Sequence, residues 1–215
     1  MMKNLLLILC FFPMLALAQE EDQSKYMVGA VPEVNGKVVF SQEINAPNLS
    51  KDQIFDAILA WANTRFKTDK GNWGMVAYSN KEEGQIACYG NEYIVFADKT
   101  FSLDRAKINY RMNFVCTSGK CNVEVTNITY LYPEDSRERL AAEEWITDKQ
   151  AMNKDQTKLI NRIAKFRIKT IDLVESLNEG AQKSLGIQNA PVATKTTTTP
   201  QQVAPVQTVA TISAA

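Results

Sequence analysis

Behind an N-terminal export signal the chain runs strand, helix, four successive strands and one long amphipathic helix. That order narrows the fold more than any other feature. The strand pattern is clearest from Arg105 to Cys116. Ala106, Ile108, Tyr110, Met112, Phe114 and Cys116 alternate with Lys107, Asn109, Arg111 and Asn113, the period of a strand with one buried face. Cys121 to Tyr132 follows through the Ser118-Gly119 turn. Its apolar parity changes near Asn127, from Val123 and Val125 to Ile128 and Tyr130, which predicts a bulge. Two further strands are read at Met75–Ser79 and Gln85–Phe96, the latter with Ile86, Cys88, Ile94 and Phe96 on one face. Lys37–Ile44 supplies the first strand, behind an Asn35-Gly36 turn signal.

Two helices complete the set. Ser50 as N-cap and Gln53 three residues on form a capping box, with Leu49 and Ile54 at staple spacing. Ile54, Phe55, Ile58, Leu59, Ala62 and Phe66 then mark one buried face. The last helix is read from Lys154 to Leu185, with Ile160, Ile163, Phe166, Thr170, Ile171, Val174 and Leu177 on one side. The predicted architecture is α+β: a curved, mostly antiparallel five-stranded sheet in β-α-β-β-β-β-α order, with two helices on one face. A helix-grip or cystatin-like arrangement with a cavity under the helix is the alternative.

The expected organisation is a signal peptide (1–18), an exposed leader (19–33), a single α+β domain (34–186) and a disordered Thr/Pro/Ala-rich tail (187–215). Lys3, the apolar run from Leu5 to Leu17 and Ala16-Leu17-Ala18 make up the signal, so the mature chain is expected to begin at Gln19. A lipobox at Cys10 is disfavoured because Leu9 stands where a small residue is needed. The run is too short to span a bilayer, and no later segment is apolar enough. The expected location is periplasmic or extracellular. Losing Lys3 takes the 24 basic side chains to 23 against 24 acidic ones. A nucleic-acid binder would show a basic excess, so no nucleic-acid partner is expected.

The 215-residue chain has no histidine. Ser-His and Cys-His nucleophile pairs and imidazole metal sites are therefore excluded. No phosphate-binding glycine loop and no S-x-x-K sequence occurs. No catalytic residue, metal site or cofactor is expected, and the protein is read as a non-enzyme. Cys116 and Cys121 should face each other across their turn and form a disulfide in an oxidising compartment, with Cys88 an inert core thiol. The competing reading is two small apolar residues at a strand end.

Two surfaces are candidates for a partner. One is the basic stripe Lys158, Arg162, Lys165 and Lys169, with Lys154 before it, on the back of the last helix; the solvated back of a helix packed on a sheet is the favoured explanation of it. The other is a tyrosine set, Tyr89 and Tyr93 with Tyr130 and Tyr132, on the far side of the sheet, where strand propensity is the competing explanation. The leading functional expectation is an exported, non-enzymatic binding module of the cell envelope, its partner an envelope protein, peptide or glycan. The alternative is a carrier of an apolar small molecule held between sheet and helix.

Val34-Asn-Gly-Lys-Val-Val-Phe40, the Trp61 helix, Ile86-Ala-Cys-Tyr-Gly90 and Lys165-Phe-Arg-Ile-Lys-Thr-Ile-Asp172 resemble the domain-of-unknown-function 4468 family over about residues 34–180. The resemblance implies a TATA-binding-protein-like fold, a curved antiparallel sheet with helices on one face, in exported proteins of Gram-negative bacteria. It implies no activity, and DNA binding does not follow from an architectural name.

Overall fold

Alternation along four consecutive strands commits their apolar residues to one face, and the structure covers that face with helix. The computed structural model describes residues 23–69, 71–99 and 102–187. The expected signal peptide, residues 19–22 and the tail beyond Ile187 lie outside them. After a short 3-10 turn come β1 (Glu33–Val34), β2 (Lys37–Val38), β3 (Phe40–Asn45), α1 (Lys51–Arg65) and β4 (Trp73–Asn80). Then follow β5 (Gln85–Lys99), β6 (Ser102–Thr117), β7 (Lys120–Leu131), β8 (Leu140–Ala141), α2 (Asp148–Ala151) and α3 (Asn161–Ser184). The sheet order is β3-β7-β6-β5-β4 and every pairing is antiparallel. The short β8 adds a sixth strand, meeting β7 at Thr129 and Tyr130, beyond the stretch paired with β3.

The expected first strand is divided at Val39. Its amide donates to Pro32 O at 3.1 Å, so Lys37–Val38 turns back on Glu33–Val34 while Phe40–Asn45 pairs with β7. The predicted bulge is present. Asn109 pairs with Thr129 and Arg111 with Thr126, so two β7 residues oppose one of β6, and Asn127 sits at φ 54. The extra residue carries burial from Val123 and Val125 over to Ile128 and Tyr130.

Helix α1 begins with the expected box: Gln53 N donates to Ser50 Oγ, and Ser50 N to Gln53 Oε1 at 2.9 Å. Ile54, Phe55, Ile58 and Ala62 are buried. Helix α3 starts at Asn161, seven residues later than expected. The Asn153 side-chain oxygen accepts from the amides of Thr157 (2.8 Å) and Lys158 (3.0 Å). That local side-chain competition holds the backbone in a loop where a helix would otherwise extend. The two helices meet where Gly180 faces the Trp61 indole; a Cβ there would lie 2.8 Å from Nε1.

On the covered face Phe166 is the centre of a ring cluster, with Phe96 at 4.6 Å, Tyr132 at 5.2 Å, Tyr130 at 5.3 Å and Trp145 at 5.6 Å between centroids. Burying a side chain of that size stabilises by about 1.5–3 kcal/mol. The segment before β1 docks on α3 as well. Val31 is buried, and Tyr26 donates to Asp172 at 2.6 Å. The folded unit therefore reaches N-terminal of residue 34: of the leader that was expected to be exposed, Tyr26 is half-buried and Val31 buried, while Val28 and Gly29 stay exposed.

Candidate functional site: the helix-free face of the sheet

Because side chains alternate along a strand, β4, β5, β6 and β7 also present a second face, and no helix among the described residues lies on it. Trp73, Met75 and Tyr78 from edge strand β4 and Tyr89 from β5 stand there 48%, 42%, 45% and 40% exposed. Met75 is paired with Tyr89 and Tyr89 with Arg111, forming one cross-strand row. Trp73, Asn91 and Asn109 form the next. The β4–β5 register shift between Val76 and Tyr78 returns Tyr78 to the same face as Met75. Aromatic and apolar side chains thus line the β4 side, while amides and cations line the centre.

Tyr93 lies farther along β5 on this face. Its ring carries the Arg105 guanidinium at 3.9 Å and the Lys107 ammonium at 5.1 Å. Its hydroxyl donates to Glu134, to which Arg105 Nε also donates at 3.0 Å. Those contacts hold the Glu134 carboxyl below its usual range and push the Tyr93 hydroxyl up, hydrogen bonding being the main cause in both. Tyr89 sits 5.8 Å from the Arg111 guanidinium. Tyr89 and Tyr93 are therefore together on an open face, as expected. Tyr130 and Tyr132 are not. Tyr130 is fully buried under α3, with its hydroxyl 2.7 Å from Thr170 Oγ1, and Tyr132 packs on Phe166. The bulge at Asn127 turns both inward.

The basic stripe does not survive as one surface. Lys158 precedes α3 and is exposed; Arg162 is exposed in its first turn, 5.9 Å from the Trp145 ring. Lys165 turns back to the sheet, donating to Asp104 Oδ2 at 2.7 Å and Tyr132 Oη at 2.9 Å. Burial alone would lower its pKa; Asp104 and Tyr132 raise it. Lys169 is half-buried. A helix read without its partners cannot show that Lys165 has a carboxylate beneath it.

Cys116 and Cys121 are directly opposed in the β6–β7 ladder. Their Sγ atoms lie 3.7 Å apart as free thiols, too far for a bond of about 2.05 Å, so the expected disulfide is not formed in this structure. Cys88 is a free core thiol, as expected, and burial pushes its pKa up to about 12.

Several polar residues were missed by sequence reasoning. Arg167 is fully buried. It donates to the carbonyls of Tyr26 (2.7 Å), Met27 (2.6 Å) and Ile146 (2.9 Å) and to Asp148 Oδ1 (2.6 Å). Its position four residues after Ile163 and four before Ile171 was the available signal. Glu92 shares the inward parity of Cys88 and Ile94. It accepts from Arg65 Nη2 at 2.7 Å and Tyr110 Oη at 2.5 Å. Desolvation, then the Glu92 charge, pushes the Tyr110 hydroxyl well up. These groups are saturated by one another and serve the fold. Among the described residues no cluster of three or more His, Cys, Asp or Glu could hold a metal ion.

The family model described as a domain of unknown function (DUF4468) with TBP-like fold matches residues 40–131. The crystal structure of a DUF4468 family protein from Bacteroides ovatus is 39% identical in sequence with a TM-score of 0.73. The match covers 80% of this chain and 100% of that one. The chain belongs to the DUF4468 family. A second solved structure, a TBP-like protein from Parabacteroides distasonis, is 28% identical with a TM-score of 0.61, covering 73% of this chain and 97% of its own. No curated protein matches the sequence. The DUF4468 match spans β3 to β7, so it includes every strand of the open face. No helix among the described residues of this DUF4468 protein is long and apolar enough to cross a membrane.

Proposed function

We propose that the protein is an exported, non-enzymatic binding module of the bacterial cell envelope that takes its ligand on the helix-free face of the sheet. One observation carries this reading: Trp73, Met75, Tyr78 and Tyr89 stand exposed side by side on adjacent strands. Exposed apolar groups gathered in one patch mark interaction sites, whereas scattered ones do not. The signal-like segment 1–18 supports export. The facing Cys116 and Cys121 support a bridge that closes on export, two thiols giving two protons and two electrons to a disulfide-bearing oxidant.

The experiment is retention of the purified chain on isolated cell envelopes, comparing wild type with Trp73→Ala/Tyr89→Ala. Loss of retention with an unchanged unfolding midpoint is the expected result. Equal retention by the double variant would overturn the sheet-face reading. The carrier alternative has weaker support, because the Phe166 ring cluster occupies the space between sheet and α3 that its ligand would need.

A further inference from the structure

Cations occur on both faces of the sheet, and on the open face Arg105 is paired with Glu134. On the helix side Arg65 is paired with Glu92, Lys165 with Asp104 and Arg167 with Asp148. On the open face Lys107 and Arg111, on central strand β6, form no ion pair among the described residues. Each instead lies over a tyrosine, Tyr93 and Tyr89 respectively. Asn109 lies between them on β6. Asn109 is opposite Asn91, whose Nδ2 donates to Asn109 Oδ1 at 2.5 Å. The Nδ2 of Asn109 is buried and has no acceptor among the described residues. Asparagine is depleted in strands, so side-by-side amides in central strands run against local preference. Neither the amides nor the two cations contribute to the core.

Resting on the sheet-face reading above, we infer that the ligand is an acidic glycan. Each row offers an apolar platform near the β4 edge, Trp73 in one and Met75 with Tyr89 in the other. A hydrogen-bonding group follows one or two strands inward, Asn91 and Asn109 or Arg111. A sugar ring uses both, placing its C–H face on the ring and its hydroxyls on the amides. Its carboxylates meet Lys107 and Arg111. An apolar protein segment would cover the charged heads of Lys107 and Arg111 without pairing them, at a cost. A neutral glycan would bring no carboxylate to Arg111, and none to Lys107 beyond the nearby Glu134.

The deciding experiment measures binding of the folded chain to immobilised polygalacturonate, alginate and heparin, with neutral galactan as control. At least one acidic polymer should bind at least about tenfold more tightly than galactan, and binding should weaken as salt is raised. Lys107→Gln/Arg111→Gln should lower that affinity about tenfold or more, with unfolding unchanged; Trp73→Ala should weaken it too. Failure to bind any acidic polymer, or indifference to the Lys107/Arg111 change, overturns the inference. Envelope retention separates the two levels. Retention lost after periodate oxidation but kept after protease digestion supports a glycan. Retention that depends on Trp73 and Tyr89 but resists periodate and is lost to protease overturns the glycan and leaves the sheet-face reading standing. Absence of any retention overturns both.

Discussion

Phe166 and Trp73 are large aromatic residues on opposite faces of one sheet, and their surroundings differ in kind. Phe166 is 1% exposed beneath rings on several elements. Trp73 stands on edge strand β4 with nearly half its surface open. The same contrast holds for charge: Arg167 on the covered face has four hydrogen bonds to protein groups, whereas Arg111 has Asn113 Oδ1 at 2.7 Å and a tyrosine ring. Stability is concentrated on one face, and the other is left available. Substitutions of the same type on the two faces should therefore separate cleanly.

The largest separation is expected for the aromatics. Phe166→Ala should cost about 3–5 kcal/mol, as for other buried large-to-small changes. Trp73→Ala should stay within about 0.5 kcal/mol, typical of exposed positions. Urea unfolding followed by circular dichroism measures both. Comparable losses would mean that the open face contributes to the fold and is not free for a ligand.

A nearly equal separation is expected for the arginines. Arg167→Met leaves Asp148 and the carbonyls of Tyr26, Met27 and Ile146 without their donor. Breaking such a buried pair costs about 3–5 kcal/mol. Residues 26–31 should also become sensitive to limited proteolysis, since Arg167 ties them to α3. Arg111→Met should leave both stability and the protease pattern unchanged. Protease resistance retained in Arg167→Met would show that Lys25 and Tyr26, bonded to Asp172 and Glu175, suffice to hold the segment.

Gly90→Ala probes the boundary between the faces from the covered side. A Cβ at Gly90 would come 2.3 Å from Tyr110 Cζ, so the ring must move and its hydroxyl must leave Glu92. A cost of about 1–3 kcal/mol is expected for such overpacking. A change near zero would show that the Arg65–Glu92–Tyr110 group is not rigidly placed.

The smallest effect concerns pH. The Lys165 hydrogen bond lowers the Asp104 pKa relative to the unfolded chain. A depressed carboxyl contributes stability above its unfolded value, about 3.9, and loses it as pH falls through the lower folded value. Asp104→Asn should be slightly less stable than wild type at neutral pH, with the difference closing in acid. A difference that persists unchanged into acid would assign the effect to packing.

Much of the fold could be read in advance because it rests on local chemistry. Ser50 and Gln53 form their capping box whatever surrounds them. The parity change at Asn127 could only be reconciled with one buried face by an extra residue. The open face was half legible: Tyr89 and Tyr93 were placed on it from strand parity. Trp73 was missed because it lies before the strand read at Met75–Ser79, and its pairing with Asn91 depends on where β4 docks. Tyr130 and Tyr132 do not belong to that face: the parity change that predicts the bulge already puts Tyr130 with Ile128 on the covered face, in conflict with its place in the tyrosine set, and Tyr132 follows two residues on.

The chain's own pattern determined which residues alternate and where α1 begins. Each of these depends on residues a few positions apart, where propensity and capping act without long-range help. Only the tertiary structure decided that Arg167 is a buried clamp, that Lys165 belongs to Asp104 and that Lys107 and Arg111 lie over tyrosine rings. A charged side chain's environment is set by groups far away in sequence, 141 residues in the case of Arg167 and Tyr26. Periodicity records which way a side chain points, while the partner waiting there is supplied by another element of the fold.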